Sequence, residues 1–146
     1  MRFSDICMDY RLLTGVLHGW MLEPSQDERC AVLRGWQNPD GTYHVVDVET
    51  VPNRHAQPQD RYSIRVKDVA DVDLVIGVMH THTRSKDIGP SMEDVANLPW
   101  SWFGLVWNTE QQILTLFDRT GWQDEVTPTK QSRRDRKSTR LNSSHT

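Results

Sequence analysis

Cysteine is scarce in this chain: Cys7 and Cys30 are the only two in 146 residues. Two thiols allow at most one bridge, which excludes the cysteine framework of a small secreted protein, and the chain is long enough to bury a core without covalent staples. Long apolar runs are lacking too. No window approaches the roughly 20 residues of a membrane-spanning helix. The amino-terminal stretch MRFSDICMDYRLL carries charges throughout, where a secretory signal would need an unbroken apolar core. A cytoplasmic setting without a membrane partner is the expectation. Charge of one sign is also missing. Seventeen Lys and Arg face 20 Asp and Glu, a formal net charge of −3. Such a balance offers no basic stripe to a phosphate backbone, so nucleic acid is not an expected partner.

Hydrophobic residues make up 36% and charged residues 25% of the chain, which suits one globular domain on the polar side. Residues 1–128 are read as that domain and 129–146 as a disordered tail. Within the tail, DRKSTRLNSSH (residues 135–145) resembles a translated sequencing adapter and is set aside as non-native. Without residues 135–146, which hold three basic residues and one acidic residue, the formal charge moves from −3 to −5.

Periodicity supplies the elements. In residues 8–22, Leu12, Leu13, Val16, Leu17, Trp20 and Met21 form a helical stripe that Pro24 terminates. ERCAVLRGW (28–36) and YHVVDVETV (43–51) read as strands around a turn marked by Asp40-Gly41. Residues 52–60 are a loop, RYSIRV (61–66) a short strand, and KDVADV at most one helical turn. DLVIGVMHTH (73–82) is a continuous apolar run, as expected of a central strand buried on both faces. A helix opens at Pro90-Ser91, and residues 102–108 and 112–118 complete the strands. No internal repeat is present. The fold class is α/β: a sandwich around one mixed sheet with helices before and after.

The chemistry concentrates in MHTHTRSKDIGPSMED (79–94). Residues i and i+2 of a strand share a face, so His80 and His82 can offer two imidazoles to one ion. Asp94, in the first turn of the next helix, can fold back as a third ligand, leaving a fourth tetrahedral position for water. Ser91 and Asp94 equally suit a helix cap, with the serine as N-cap and an acid three residues on. Zinc lowers the pKa of a bound water to about 7, and a nearby carboxylate must then take its proton. Glu28 is the candidate base; the alternative is an ordinary strand-end acid. Other residues carry less. His18 reads as a surface or packed histidine, Trp100, Trp102 and Trp107 as core, Cys30 as a small core residue, and His55 as a possible substrate contact in a loop.

Together, ERCAVLRG and HTHTRSKDIGPSMED resemble the JAB/MPN metalloprotease family, whose site is the JAMM motif. Its pattern is Glu-x-x-Gly/Ala-apolar-apolar-x-Gly, then His-x-His-Pro, seven residues and Ser-x-x-Asp. Glu28, Ala31 and Gly35 match the first part, and His80, His82, Ser91 and Asp94 the second. Thr83 stands where the family has proline, and the helix expected before the histidine strand is reduced. The resemblance spans roughly residues 5 to 125. It implies the cytidine-deaminase-like α/β sandwich of that family and one zinc ion per chain on His80, His82 and Asp94. Glu28 is then the general acid/base, and Ser91 stabilises the tetrahedral intermediate. The implied activity is hydrolysis of a peptide or isopeptide bond, at the tail of a ubiquitin-like or sulfur-carrier protein or in a phage tail and cell-wall context. That context would make the chain cytoplasmic or virion-associated. A non-catalytic MPN scaffold that binds protein partners is the competing expectation.

Overall fold

The computed structural model describes residues 1–126. The adapter-like stretch and the whole of the expected tail lie outside the described residues. Seven strands form one mixed sheet: β1 (Ile6–Met8), β2 (Cys30–Gln37), β3 (Tyr43–Val51), β4 (Val75–His82), β5 (Phe103–Asn108), β6 (Ile113–Phe117) and β7 (Gln123–Val126). Their spatial order is β1-β3-β2-β4-β5-β6-β7. β1 with β3 and β4 with β5 are parallel pairs, and the remaining neighbours are antiparallel. The helices are α1 (Tyr10–Leu22) and α2 (Met92–Asn97).

Alternation along the strands sorts the side chains into two layers. Ala31, Leu33, Met79, Phe103, Leu105 and Trp107 point to the α1 layer, where Leu13 and Leu17 are buried against them. Cys30 and Val32 on β2, Val78 on β4 and Val106 on β5 point the other way, under α2 and the segment that precedes β4. α1 starts where Asp9 accepts a hydrogen bond from Arg11 N (2.9 Å). Its expected stripe holds except at Met21, which is 54% exposed in the last turn.

The hairpin between β2 and β3 turns at Gly41, whose φ of +94° needs a residue without a side chain. Gly35 lies at a bulge in the same pair, and a Cβ there would overlap the His44 carbonyl oxygen. Both features explain glycines that the sequence only hints at.

Three expectations need correction. RYSIRV is not a strand: it lies without regular pairing and runs into two 3-10 turns, Val66–Asp68 and Val72–Leu74. Part of its hydrogen bonding goes instead to the side chain of Asn53, which accepts from Ser63 N (3.0 Å) and donates to the Arg61 carbonyl (2.9 Å). The buried Arg34 then pins the following turn, donating to the Ala70 carbonyl and to Asp47 and Glu49 on β3. The second correction is β2, which begins at Cys30 rather than at Glu28. The third is Trp100, which is 71% exposed beneath the Arg119 guanidinium rather than packed in the core. Trp107 is buried as expected. Cys30 is buried as well, and burial pushes its thiol up to about 12.

Candidate metal centre

β4 delivers both histidines. It is bonded on both edges, with His80 beside Cys30 of β2 and Val106 of β5, and His82 beside Asn108. His80 and His82 follow Val78 on the α2 face, and both are buried. The ladders fix the face from which both side chains leave the strand. The first imidazole is further fixed by stacking on Tyr62, with ring centroids 4.2 Å apart.

Asp94 comes from α2. Ser91 caps that helix: its hydroxyl oxygen accepts from Asp94 N (3.0 Å), and Ser91 N donates to Asp94 Oδ2 (2.9 Å). The same Oδ2 lies 3.0 Å from His80 Nε2 and 3.2 Å from His82 Nε2. The capping box and the approach to the histidines are therefore one arrangement, not alternatives. Among the described residues the Ser91 hydroxyl spends only its oxygen, so its hydrogen remains available.

Glu28 stands just before β2, held from three directions. Its N–H donates to the Pro58 carbonyl (2.6 Å), and its carbonyl accepts from Asn53 Nδ2 (2.8 Å). Its neighbour Arg29 is joined twice to Thr81 on β4, through Arg29 N to Thr81 Oγ1 (2.8 Å) and Thr81 N to Arg29 O (2.9 Å). These bonds leave the buried Glu28 carboxyl 3.9 Å from His82 Nε2.

Hydrogen-bond roles expose a conflict within the cluster. A carbonyl only accepts, so the 3.0 Å contact between His82 Nδ1 and the Asp87 carbonyl requires a proton on Nδ1. In a neutral ring Nε2 is then a bare lone pair facing a carboxylate oxygen 3.2 Å away. The repulsion is relieved only by a second ring proton or by a cation among these groups. Burial alone would raise Asp94, but its bonds with both histidines and with Ser91 N outweigh that and hold it well below the usual carboxylate range. Burial pushes His80 down, so its ring is neutral. Burial also opposes charging of His82, but Asp94 and Glu28 outweigh it and raise its pKa. Glu28 is pushed up to about 7, chiefly by burial and further by Asp94, Asp60 and Asp87, against the opposing effect of His82.

Glu28, His80 and His82 bring their ligand atoms within 4.8 Å of one another, so they can hold a metal ion. Asp94 adds a second oxygen, nearer both rings. The two Nε2 atoms and Asp94 Oδ2 form a triangle with edges of 3.0, 3.2 and 3.3 Å. Ligands held about 2.0 Å from a tetrahedral ion stand about 3.3 Å apart. Two neutral imidazoles with one carboxylate oxygen also suit zinc. The residues fit a divalent cation by shape and by chemistry.

Sequence reasoning missed the supporting side chains. Asn108, which is buried, donates to the Arg84 and Asp87 carbonyls (2.8 and 3.0 Å) and so fixes the loop whose carbonyl orients His82. Asn53 does the same for Glu28. Asn108 ends β5 and Asn53 lies in the loop after β3, places where asparagine is an ordinary turn signal, and only contact reveals the difference. His55 accepts from Gln57 N (2.9 Å) within its own turn. His18 is exposed on α1, away from the cluster.

Residues 16–120 match the family described as prokaryotic homologs of the JAB domain. No curated protein matches the chain in sequence. Among solved structures, a protein from Desulfitobacterium hafniense superposes with a TM-score of 0.59 at 21% identity, covering 83% of this chain and 89% of its own. A JAB1/MPN domain protein from Archaeoglobus fulgidus superposes with a TM-score of 0.50 at 19% identity, covering 86% of this chain and 96% of its own. At these identities the likeness is one of fold.

Proposed function

Since the chain belongs to the prokaryotic homologs of the JAB domain, we propose that it is a zinc-dependent metallopeptidase. In this reading His80, His82 and Asp94 hold the ion, Glu28 is the general acid/base, and Ser91 donates to the developing oxyanion. The carrying observation is the unequal placement of the two carboxyl groups. Asp94 Oδ2 closes a ligand-sized triangle with both Nε2 atoms, while Glu28 stands 3.9 Å from the nearer ring. Their acidities diverge in the same sense. Asp94 stays ionised, as a ligand must, and Glu28 is raised to about 7, where it can both take and return a proton.

A divalent cation bound there would acidify a water and polarise the scissile carbonyl. The protein's own groups supply the rest. Glu28 takes a proton from the attacking water and passes it to the leaving amine. The Ser91 hydroxyl, its oxygen engaged by Asp94 N, turns its hydrogen to the carbonyl oxygen as negative charge develops. Asp87, through its carbonyl, keeps His82 in the tautomer that presents Nε2. The substrate is a peptide or the tail of a ubiquitin-like protein.

Zinc titration of the wild type and two variants tests this. One equivalent of zinc is expected in the wild type and in Glu28→Gln, and hydrolysis of a peptide mixture should fall at least about 100-fold in that variant. Asp94→Asn should lose both metal and turnover. A Glu28→Gln protein as active as wild type would remove Glu28 from the mechanism. A folded wild type that stays metal-free in excess zinc would be a partner-binding scaffold instead.

A further inference from the structure

The site has two open sides of opposite character. Glu28, His82, Arg84 and Asp87 border a polar cavity of about 320 Å³. Across Ser91 and Asp60, which line both, lies a chamber of about 310 Å³ with an apolar floor. Its floor is Val32, Val75, Val78 and Leu98, none more than 6% exposed, with Tyr62 and Trp102 as walls. Asp94 lines it as well, and the Tyr62 ring that stacks on His80 separates the chamber from that imidazole. Arg61 and Glu93, paired at 3.5 Å and both exposed, border its mouth, with Val66 70% exposed beside it.

The chamber forms where residues 61–74 cover the sheet without pairing to it. They form no strand and only two 3-10 turns, and Arg34 holds Ala70 at its own distance. Protein interiors are close-packed, and a cavity of roughly 150 Å³ lined by apolar groups already takes up benzene. Twice that space, with an apolar floor and a polar rim opening to solvent against two residues of the proposed machinery, has the properties of a side-chain subsite.

We infer that this chamber is a specificity pocket that takes one large apolar side chain, leucine, methionine or phenylalanine, from a residue flanking the scissile bond. The inference rests on the peptidase reading for its position relative to the bond. A glycine at that position leaves the chamber unfilled, and burial of a side chain of this size is worth roughly 10- to 100-fold in affinity.

The test uses the zinc-loaded protein with a randomised peptide library, and methyl and indole NMR with N-acetyl-leucine methylamide or its glycine analogue as probe. Cleavage sites should carry Leu, Met or Phe on one flank about tenfold or more over glycine. Val69→Trp, from the chamber wall, should abolish that enrichment at unchanged zinc content. Val66→Trp, at the exposed rim and free of core contacts, should reduce it. The leucine probe, not the glycine one, should shift the Val75 and Val78 methyls and the Trp102 indole. Cleavage that accepts glycine equally overturns the pocket and leaves the peptidase standing. An uncleaved library with the leucine-specific shifts intact supports the pocket and removes the peptidase. Absence of those shifts overturns the pocket whatever the library does.

Discussion

Asn108 takes no part in the chemistry proposed, yet its amide nitrogen holds the loop beside the site. Its amide donates to two carbonyls of the loop after β4, and its oxygen accepts from Glu110 N and Gln111 N. Truncation leaves those groups to find other partners and frees the Asp87 carbonyl from its position against His82. Asn108→Ala should therefore weaken zinc binding about 10- to 100-fold in competition with a chromophoric chelator, while the fold persists. Unchanged affinity would mean that Asp87 is held by other contacts. Glu28 yields a second prediction, for the metal-free protein. Its pKa is near 7 folded against 4.5 as a free group. The folded state keeps this proton where the unfolded chain has lost it, so the residue costs stability as pH rises from 4.5 towards 7, by up to about 3 kcal/mol. Urea unfolding near pH 8 should find metal-free Glu28→Gln gaining on wild type, and near pH 5 the gain should largely vanish. The raised His82 works in the opposite sense, losing its contribution as pH rises; the part due to Asp94 is common to both proteins, and the part due to Glu28 is absent from the variant. Equal differences at the two pH values would contradict the burial of Glu28.

At the scale of elements, the β2–β3 pair is the most sensitive part. The bulge at Gly35 brings the β3 backbone where a Cβ would stand. Gly35→Ala should cost about 1–3 kcal/mol in a denaturant titration, since backbone cannot yield as a side-chain tip can. A neutral outcome would show that the two strands can separate there. The same scale explains what was legible beforehand. α1, β3, β4 and β5 announce themselves because burial imposes their periods: Leu13 and Leu17 lie one turn apart, and β4 is apolar on both faces because layers cover both. β1 and β7 were missed because three and four residues carry too little pattern to separate from their surroundings. RYSIRV has strand composition, but the side chain of Asn53 took over part of its pairing, and composition does not record a competitor ten residues away. His80, His82, Ser91 and Asp94 were legible as a cluster because they lie close in the chain on a strand and the next helix. Glu28 was legible only beside them. The loop that holds it, through Pro58 and Asn53, left no periodic trace.

On the scale of the whole molecule, the centre brings the entrance to β2, distant in the chain, to the end of β4 and the first turn of α2. An ion held by His80, His82 and Asp94 binds the folded state alone, because the unfolded chain cannot assemble the triangle. Zinc at 100 times its dissociation constant should add about 2.7 kcal/mol, a rise of several degrees in Tm that a chelator reverses. A Tm indifferent to zinc would mean that β4 and α2 are not joined through a common ion. The sheet also separates the holders of the centre by firmness. Both imidazoles ride on a strand laced to β2 and β5, whereas the carboxyl at residue 28 depends on a loop cinched by an asparagine and a carbonyl. Mild heat or dilute urea would slacken the loop first, so the machine would fall idle with its metal still aboard.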